Sequence, residues 1–374
     1  MDAKDQIKNL LEKAGITING PNDFDIKVLD ERIYRKVLSG GSMALGESYM
    51  DGWWEVKALD KFFYKIFLAN LHKSPTLFLS VVPYFLKSFI FNLQNPSRAF
   101  LIGNYHYDIG NDFYQAMLGK TLAYSCGYWK NASWRSKNLD EAQMAKFNLI
   151  CQKIGLKSGD YILDVGCGWG TFLKFAAQNY GAKGLGITVS KNQVELAQEL
   201  CNGMPIEIKL QDYRNIEGKF DHIVSVGMFE HVGVKNYRVY MSKMRALLKD
   251  NGLFLLHTIG SNKSILSNDP WITKYIFPNS MLPSVTQITQ SIEGLFAMED
   301  WHSFGSYYDK TLMAWFGNLN EHWPQLNLRY PDKFYRMWKY YLLSCAGNFR
   351  ACHSHLWQVV FSKQGVPGGY KSIR

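Results

Sequence analysis

The sequence lacks the paired cysteines that disulfide frameworks and zinc sites use. Its six cysteines are scattered, and no two of them form a CxxC pair. This spacing argues against a disulfide framework and a metal site, and it predicts free thiols in a reducing compartment. The cysteines are Cys126, Cys151, Cys167, Cys201, Cys345 and Cys352.

Export and membrane-spanning signals are also missing. The first ten residues, MDAKDQIKNL, contain two aspartates and no basic stretch followed by a long apolar one, so no signal peptide is predicted. The apolar segment 76–91 is shorter than the roughly 20 residues of a spanning helix, and Pro83 and Lys87 interrupt it. We therefore expect an intracellular protein that does not cross the bilayer.

Acidic residues are absent between Asp60 and Asp108, although the chain has a net charge of +10. Cations and aromatic rings alternate there, which suits contact with an anionic lipid surface. The alternative is that the rings pack a small helical domain or a dimer interface and the lysines form a solvated face. These residues are Lys61, Lys65, Lys73, Lys87 and Arg98, with Phe62, Phe63, Tyr64, Phe67, Phe78, Tyr84, Phe85, Phe89 and Phe91.

A glycine-rich turn follows the apolar, strand-like segment 161–165. Gly166, Gly168 and Gly170 have the spacing GxGxG, Asp164 precedes them, and residues 171–177 have a helical pattern. Glycines let the backbone turn sharply and approach a ligand closely. The pattern is typical of the adenosyl-binding turn of class I S-adenosylmethionine methyltransferases. The alternative is a tight strand-to-helix turn without a ligand.

Beyond this turn the chain alternates between strand and helix patterns. Strands are predicted at 184–188, 206–210, 220–226 and 253–257, and a helix at 191–200. Such alternation predicts an α/β fold with a doubly wound, mainly parallel sheet, whose ligands bind at the carboxyl ends of the strands. The expected rim loops are 166–170, 188–193, 211–213, 227–232 and 258–260. At 374 residues the chain is long enough for this domain and a smaller one.

Three residues on the predicted rim are candidates for cofactor contact. Thr188 ends the second strand, where an acidic residue often binds ribose, and Asp212 after the third strand could bind the adenine amino group. Gln193 follows Ser190 by three residues. That spacing also matches a helix capping box, so capping and cofactor contact both remain open for Gln193.

Several segments resemble bacterial cyclopropane-fatty-acyl-phospholipid synthases. They are 45–54 (LGESYMDGWW), 124–129 (YSCGYW), 226–233 (VGMFEHVG), 257–260 (HTIG), 269–272 (DPWI) and 345–347 (CAG). The resemblance spans nearly the whole chain, whereas the mycolic-acid relatives of the family resemble only its catalytic half. It implies a class I methyltransferase-like catalytic domain over 101–374 and a smaller, mostly helical, lipid-associating domain over 1–100.

The resemblance implies addition of a methylene group across a cis double bond of a phospholipid acyl chain, with S-adenosylmethionine as donor. Methyl transfer to an alkene leaves a carbocation, so the pocket must be dry, and aromatic faces can stabilise the charge. A base must then remove a proton from the new methyl group. The family is associated with a bound bicarbonate in that role.

The bicarbonate ligands implied by the resemblance are Cys126, Glu230, His257, Tyr308 and the backbone N–H of Ile259. An ionised carboxylate accepts the bicarbonate hydroxyl, and the other groups donate to its oxygens. Other interpretations remain open: a surface pair of Glu230 with its neighbour His231, a core histidine, a packed thiol, or a role for Tyr307 in place of Tyr308. Cys345 matches the designated active-site cysteine of the family, although the chemistry needs no thiol nucleophile.

The implied cofactor contacts are Tyr124, Ser125, Asp164, Gly166, Gly168, Gly170, Thr188, Gln193, Asp212 and Tyr213. The implied partners are an anionic bilayer with unsaturated acyl chains, at the inner face of the cytoplasmic membrane, and a second copy of the chain, with no nucleic acid. Two other functions fit part of the pattern: methylation of a soluble small molecule, and a non-catalytic membrane protein that retains the cofactor pocket.

Overall fold

The computed structural model describes residues 1–71, 109–130, 138–265 and 268–374, and these form two compact units. The first unit holds residues 1–71, 268–278 and Tyr308–Ser354, and the second holds the remaining described residues. Within the described residues, no helix has both the length and the apolar character needed to cross a membrane. The predicted lipid segment 76–91 and the predicted boundary near residue 100 lie outside the described residues.

The first unit is mostly helical. A two-stranded antiparallel sheet, β1 (Lys27–Val28) with β2 (Trp54–Glu55), is its only sheet among the described residues. Its helices are α1 (Ala3–Glu12), α2 (Arg32–Met50), α3 (Leu59–Leu68), α9 (Pro270–Tyr275), α11 (Ser306–Leu326, from Tyr308 onward) and α12 (Asp332–Arg350). The last three helices come from the region predicted as catalytic, 101–374. The division of function between 1–100 and 101–374 stays a prediction.

Aromatic side chains form the core of the first unit. Phe62 and Phe63 of α3 are buried, with ring centroids 5.5 Å from Trp54 and 5.1 Å from Tyr340, respectively. Aromatic pairs at such distances add to the stability gained from burial. For these two phenylalanines the packing interpretation is confirmed, while residues 72–108 of the cationic, aromatic stretch lie outside the described part of the chain.

Two glycines allow close packing within this unit, one in segment 45–54 and one in segment 345–347, both of which resemble the synthase family. A Cβ added at Gly46 would lie 2.4 Å from the Trp271 ring, and one at Gly347 would lie 2.6 Å from the Tyr64 amide nitrogen and 2.7 Å from the Asp60 carbonyl oxygen. No real Cβ fits at these distances, so larger residues would push the helices apart. In segments 45–54 and 345–347, Gly46 and Gly347 therefore serve helix packing.

The second unit contains a seven-stranded sheet of order β5-β4-β3-β6-β7-β9-β8. Strands β3 to β7 are parallel, whereas β9 pairs antiparallel with both β7 and β8. The strands are β3 (Tyr161–Val165), β4 (Lys183–Thr188), β5 (Ile206–Leu210), β6 (Phe220–Val226), β7 (Leu248–Gly260), β8 (Ala297–Ser303) and β9 (His355–Ser362). The predicted mainly parallel α/β sheet is confirmed.

Helices cover both faces of this sheet and bury its apolar residues in two clusters. The helices are α4 (Asn111–Leu118), α5 (Leu139–Lys153), α6 (Thr171–Tyr180), α7 (Lys191–Leu200), α8 (Tyr237–Leu247) and α10 (Val285–Ile292). The strand order reverses between β3 and β6, and such a switch point opens a crevice beyond the strand ends. The predicted loop 258–260 is instead part of β7, because these residues pair with β9.

Candidate functional site

One cavity in the second unit lies at the carboxyl ends of β3, β4, β5 and β6. Most of the residues predicted to bind the cofactor line it: Tyr124, Ser125, Asp164, Gly166, Gly168, Thr188, Gln193, Asp212 and Tyr213. The loops converge there because parallel strands end at one edge of the sheet. Cofactor contact by each of these side chains stays a prediction.

Gly170 belongs to the glycine run but is absent from the described lining of the cavity. It precedes α6 with a φ of +74°, and a Cβ added there would lie 3.2 Å from Cys201 Sγ and 3.3 Å from Ile208 Cδ1. The third glycine therefore faces packed side chains. Gly170 forms the turn at the start of α6. Its contact with the cofactor stays a prediction.

The side chain of Gln193 does not complete a capping box. Ser190 Oγ accepts a hydrogen bond from the Gln193 backbone N–H at 3.3 Å, so the serine does cap α7. The Gln193 side chain instead accepts a hydrogen bond from the Thr188 hydroxyl at 2.7 Å. Both side chains are buried and line the cavity. This pair fixes the glutamine amide at the cavity wall.

Asp212 is held at the cavity by its own loop. Its carboxylate accepts a hydrogen bond from the Arg214 backbone N–H at 2.9 Å and forms an ion pair with the Arg214 guanidinium at 2.8 Å. Arg214 also lines the cavity. Both carboxylate oxygens of Asp212 thus accept hydrogen bonds from Arg214, Oδ1 from its backbone N–H and Oδ2 from its guanidinium, and the sequence does not indicate this residue as part of the site.

Lys146 is a buried cation at the cavity that sequence reasoning missed. Its Nζ donates to Ser125 Oγ at 2.6 Å and to Gln143 Oε1 at 2.7 Å. Gln143 in turn donates to the carbonyls of Ala123 and Ser125. Helix α5 therefore holds the segment 123–125 in place. Burial lowers the pKa of Lys146 to about 7, because removal from water disfavours the charged form.

Asp164 shares this buried environment. It lies near the end of β3, is 3% exposed, and lines the cavity. Burial raises the pKa of its carboxyl to about 7, although the charge of Lys146 opposes the shift. Two oppositely charged groups of similar pKa thus lie along one wall, and their charge state responds to whatever ion binds beside them.

Glu230 is buried, which excludes the surface pair with His231. It lies in a short 3₁₀ turn, Phe229–His231, directly after β6. Its Oε1 accepts a hydrogen bond from the Ile259 backbone N–H at 2.7 Å. Burial raises the pKa of Glu230 to about 7, and the Ile259 N–H opposes that shift. His231, unlike Glu230, belongs to the described lining of the cavity at the ends of β3 to β6.

The Ile259 N–H differs from its predicted role as a direct donor to bicarbonate. A backbone amide has a single hydrogen, and in the structure this hydrogen is engaged by Glu230. The Ile259 amide therefore orients the Glu230 carboxylate. A direct contact of Ile259 with an anion stays a prediction and requires sharing of that hydrogen.

His257 lies on β7, two residues before Ile259, so both residues are on the same face of the sheet. It is 1% exposed, its Nδ1 lies 3.2 Å from Gln358 Nε2, and its ring meets Phe304 edge-on at 5.9 Å. Burial lowers the pKa of His257 well below its usual value, and the nearby charges of Lys146 and Lys153 add to this. This direction favours the neutral form of the imidazole.

Two buried polar atoms of this site have no hydrogen-bond partner among the described residues. They are Glu230 Oε2 and His257 Nε2. Buried polar atoms are nearly always paired, so each of these atoms is available to a ligand or a water molecule, and the Thr258 hydroxyl is a further hydrogen-bonding group that acts on Glu230. The carboxylate oxygen can accept one hydrogen bond, and the imidazole nitrogen can donate one if it carries the proton.

The other predicted anion ligands lie in different places. Cys126 is fully buried in the second unit, its Sγ is 3.2 Å from the Gly127 carbonyl oxygen, and its charge would act on Lys146. Tyr308 belongs to the first unit, with its ring 4.6 Å from Phe349. Its approach to Glu230 stays a prediction. Tyr307, its alternative, belongs to the second unit and packs on Tyr128 at 5.5 Å.

Cys345 lies on α12 in the first unit, near the partly buried Asp269. Burial, with the charge of Asp269 as a second cause, raises the pKa of the Cys345 thiol to about 12. The nucleophile of cysteine chemistry is the thiolate, and this thiol stays protonated at neutral pH. The environment favours a packing role for Cys345.

We therefore expect Cys345→Ala to keep turnover within about threefold of wild type, because a protonated thiol supplies no nucleophile. The variant should lose only about 1 kcal/mol of unfolding free energy for the small cavity. Initial rates and chemical denaturation measure the two effects, with Cys352→Ala, an exposed thiol, as the matched control. A loss of turnover of two orders of magnitude or more at unchanged stability would show that the Cys345 thiol takes part in the reaction.

Comparison with known proteins gives consistent matches. Residues 94–359 match the family described as mycolic acid cyclopropane synthetase. The chain is 50% identical to the cyclopropane-fatty-acyl-phospholipid synthase of Escherichia coli strain K12, over 98% of this chain and 94% of that protein. It is 38% identical to a probable fatty acid methyltransferase of Pseudomonas putida, over 71% of this chain and 70% of that protein.

Solved structures of cyclopropane synthases share the fold. One from Mycobacterium tuberculosis superposes with a TM-score of 0.66 at 29% identity, covering 71% of this chain and 98% of that chain. A mycolic acid cyclopropane synthase in complex with SAH and CTAB superposes with a TM-score of 0.64 at 31% identity, with the same coverage. The predicted class I methyltransferase-like fold and the predicted family resemblance are both confirmed.

Proposed function

Because this chain belongs to the mycolic acid cyclopropane synthetase family and is an S-adenosylmethionine-dependent methyltransferase, we propose that it converts the cis double bond of a phospholipid acyl chain into a cyclopropane ring. One observation carries the choice of substrate. The family match begins at residue 94, whereas the similarity to the phospholipid synthase also includes nearly all of the preceding segment. That added similarity favours a phospholipid over a soluble acceptor.

The reaction asks three things of the protein. S-adenosylmethionine supplies an electrophilic methyl group when bound, and the residues lining the β3–β6 cavity are suited to hold it. The alkene π pair would form the new C–C bond to the methyl carbon while the S–CH₃ bond breaks and its electron pair stays on the sulfur of S-adenosylhomocysteine, which leaves a cation on the neighbouring alkene carbon. Loss of a proton from the new methyl then leaves its electron pair to close the ring. The protein must therefore align the two reactants, exclude water and accept a proton.

Aromatic residues beside His257 are suited to exclude water and to face a cation. Phe304 contacts the His257 ring at 5.9 Å, and Tyr128 contacts Phe304 at 5.4 Å and Tyr307 at 5.5 Å. Aromatic faces attract positive charge most strongly where water is excluded. This cluster supports a carbocation in its vicinity rather than methyl transfer to an amine or hydroxyl.

For the base, we propose that bicarbonate binds at Glu230 and His257. The fit rests on the two unpartnered buried atoms, Glu230 Oε2 as an acceptor and His257 Nε2 as a donor. Bicarbonate has one hydroxyl hydrogen and several acceptor oxygens, which this pair matches. When bound, bicarbonate supplies the base that removes the proton. The Ile259 N–H holds the carboxylate, and Cys126 and Tyr308 complete the proposed set.

One assay tests the function against its alternatives. The full-length protein is incubated with S-adenosylmethionine and liposomes of a monounsaturated phospholipid, and the lipids are analysed by mass. We expect acyl chains that have gained one methylene and lost the alkene. A methylated headgroup or soluble acceptor would support an ordinary methyltransferase, and no product would support a binding protein, so either result contradicts the proposal.

We also propose peripheral association with anionic membranes, at the inner face of the cytoplasmic membrane. The cations between Asp60 and Asp108 support it, at about 1 kcal/mol for each lysine near the surface. The double variant Lys73→Gln/Lys87→Gln should therefore bind anionic vesicles roughly 30-fold more weakly at low salt. The matched control Lys157→Gln/Lys183→Gln removes two exposed charges of the second unit. Equal binding by both variants would show that the membrane contact does not depend on Lys73 and Lys87.

The expected homodimer stays a prediction, and sedimentation of the full-length protein measures it.

A further inference from the structure

Three neighbouring strands place polar side chains in a row beside the proposed anion site. In the sheet register, His257 of β7 is opposite Gln358 of β9, and Gln358 is opposite His302 of β8. Gln358 is 0% exposed and lies in an otherwise apolar run from Leu356 to Phe361. Burying an amide in such a strand is unfavourable unless it forms a hydrogen bond. Its position therefore calls for a reason.

The hydrogen bond of Gln358 is to the imidazole of His257. The distance between Gln358 Nε2 and His257 Nδ1 is 3.2 Å. With the amide nitrogen toward the ring, as in the structure, Nδ1 is the acceptor, and Gln358 Oε1 has no hydrogen-bond partner among the described residues. A neutral imidazole with an acceptor at Nδ1 carries its proton on Nε2. The second ring nitrogen is the one that has no partner among the described residues.

We propose that Gln358 is a positioning residue that holds His257 in the tautomer with the proton on Nε2. His257 then presents an N–H donor, and Glu230 presents an acceptor oxygen, to the anion of the proposed function. The identity of the bound anion rests on the proposed function, but the tautomer does not. Gln358 acts only through His257, and it is not itself a catalytic residue.

The direction of the glutamine amide decides the chemistry of the site. With the amide carbonyl toward His257, the proton would lie on Nδ1, and Nε2 would present a lone pair to an incoming anion. Two acceptors, Glu230 Oε2 and that lone pair, would then face one ligand and repel its oxygens. With the amide nitrogen toward His257, the site offers one donor and one acceptor.

The test measures the tautomer directly. The full-length protein is prepared with isotope-labelled histidine, and the nitrogen signals of His257 are assigned with His257→Gln. In wild type we expect the hydrogen on Nε2. In Gln358→Glu the carboxylate can accept from Nδ1–H, so the hydrogen should move to Nδ1. In Gln358→Met, which keeps the length but removes the donor, the preference should be lost. Gln178→Glu, on an exposed face of α6, is the matched control.

Kinetics give a second measurement. The bicarbonate concentration for half-maximal rate should rise about tenfold in Gln358→Glu, since a charge-assisted hydrogen bond is lost, while affinity for S-adenosylhomocysteine stays at the wild-type value. A wild-type hydrogen on Nδ1, or a tautomer unchanged in both Gln358 variants, overturns the inference. A confirmed tautomer together with activity that does not respond to bicarbonate leaves the role of Gln358 in place and refutes the proposed base instead.

Discussion

Glu230→Gln is expected to lower turnover about 100-fold while affinity for S-adenosylhomocysteine stays close to wild type. The amide keeps the size of the side chain but loses the negative charge, and a hydrogen bond to a charged group contributes roughly 2 to 3 kcal/mol. Glu230 is not among the described residues that line the cofactor cavity. Initial rates on liposomes and calorimetric titration measure the two quantities separately.

The pH dependence gives the same experiment a second readout. Burial raises the pKa of Glu230 to about 7, so the ionised fraction of the carboxylate falls as the pH drops through 7. With the concentration of free bicarbonate held constant, wild-type turnover should decline more steeply over that range than the residual turnover of Glu230→Gln. Glu207→Gln, at an exposed position of β5, is the control with the same change of side chain. If Glu230→Gln turns over as fast as wild type, the Glu230 carboxylate has no role in the mechanism.

Gly166→Ala is expected to weaken binding of S-adenosylhomocysteine about 10- to 100-fold. Gly166 has a φ of +84°, and an added Cβ would lie 2.8 Å from Met228 Cβ and 2.9 Å from Met228 Cγ. Both residues line the cavity. Alanine therefore costs backbone strain of roughly 1 to 2 kcal/mol, and it also displaces Met228 and thereby changes the shape of the cavity. Titration calorimetry measures the affinity.

The control separates strain from displacement of the loop. Gly203 has a φ of +77° with no atom near an added Cβ, and it is not in the described cavity lining. Gly203→Ala should lose a similar amount of unfolding free energy and no affinity. If Gly166→Ala binds as tightly as Gly203→Ala, the glycine run is a structural turn and the adenosyl site lies elsewhere.

The parallel part of the sheet could be predicted from sequence because its signals are local. The strands Ile206–Leu210 and Phe220–Val226 and the helix Lys191–Leu200 were predicted with their observed bounds. The last two strands were not predicted. Strand β8 (Ala297–Ser303) is half-exposed with a polar composition, and it is a strand because β9 pairs with it. That pairing is antiparallel and long-range, so no local pattern indicates it.

The two supporting residues of the site were missed for a different reason. Lys146 lies on a helix, where a lysine is usually solvent-exposed; Gln143 is one helical turn away on the same helix, but only the folded chain brings Ser125 to the Lys146 ammonium. Gln358 did leave a signal, since a glutamine in the middle of an apolar strand must find a polar partner. The sequence could indicate that need, but the partner, His257, is 101 residues away.

The position of β9 in the sheet has a consequence for the order in which the sheet forms. It is the last of the described strands along the chain, yet it lies between β7 and β8 rather than at an edge. The imidazole of His257 on β7 remains without its amide neighbour until β9 has paired with β7. The described lining of the cavity at the ends of β3 to β6 consists only of residues that precede β7, so we expect that cavity to form before β9 and β8 join the sheet.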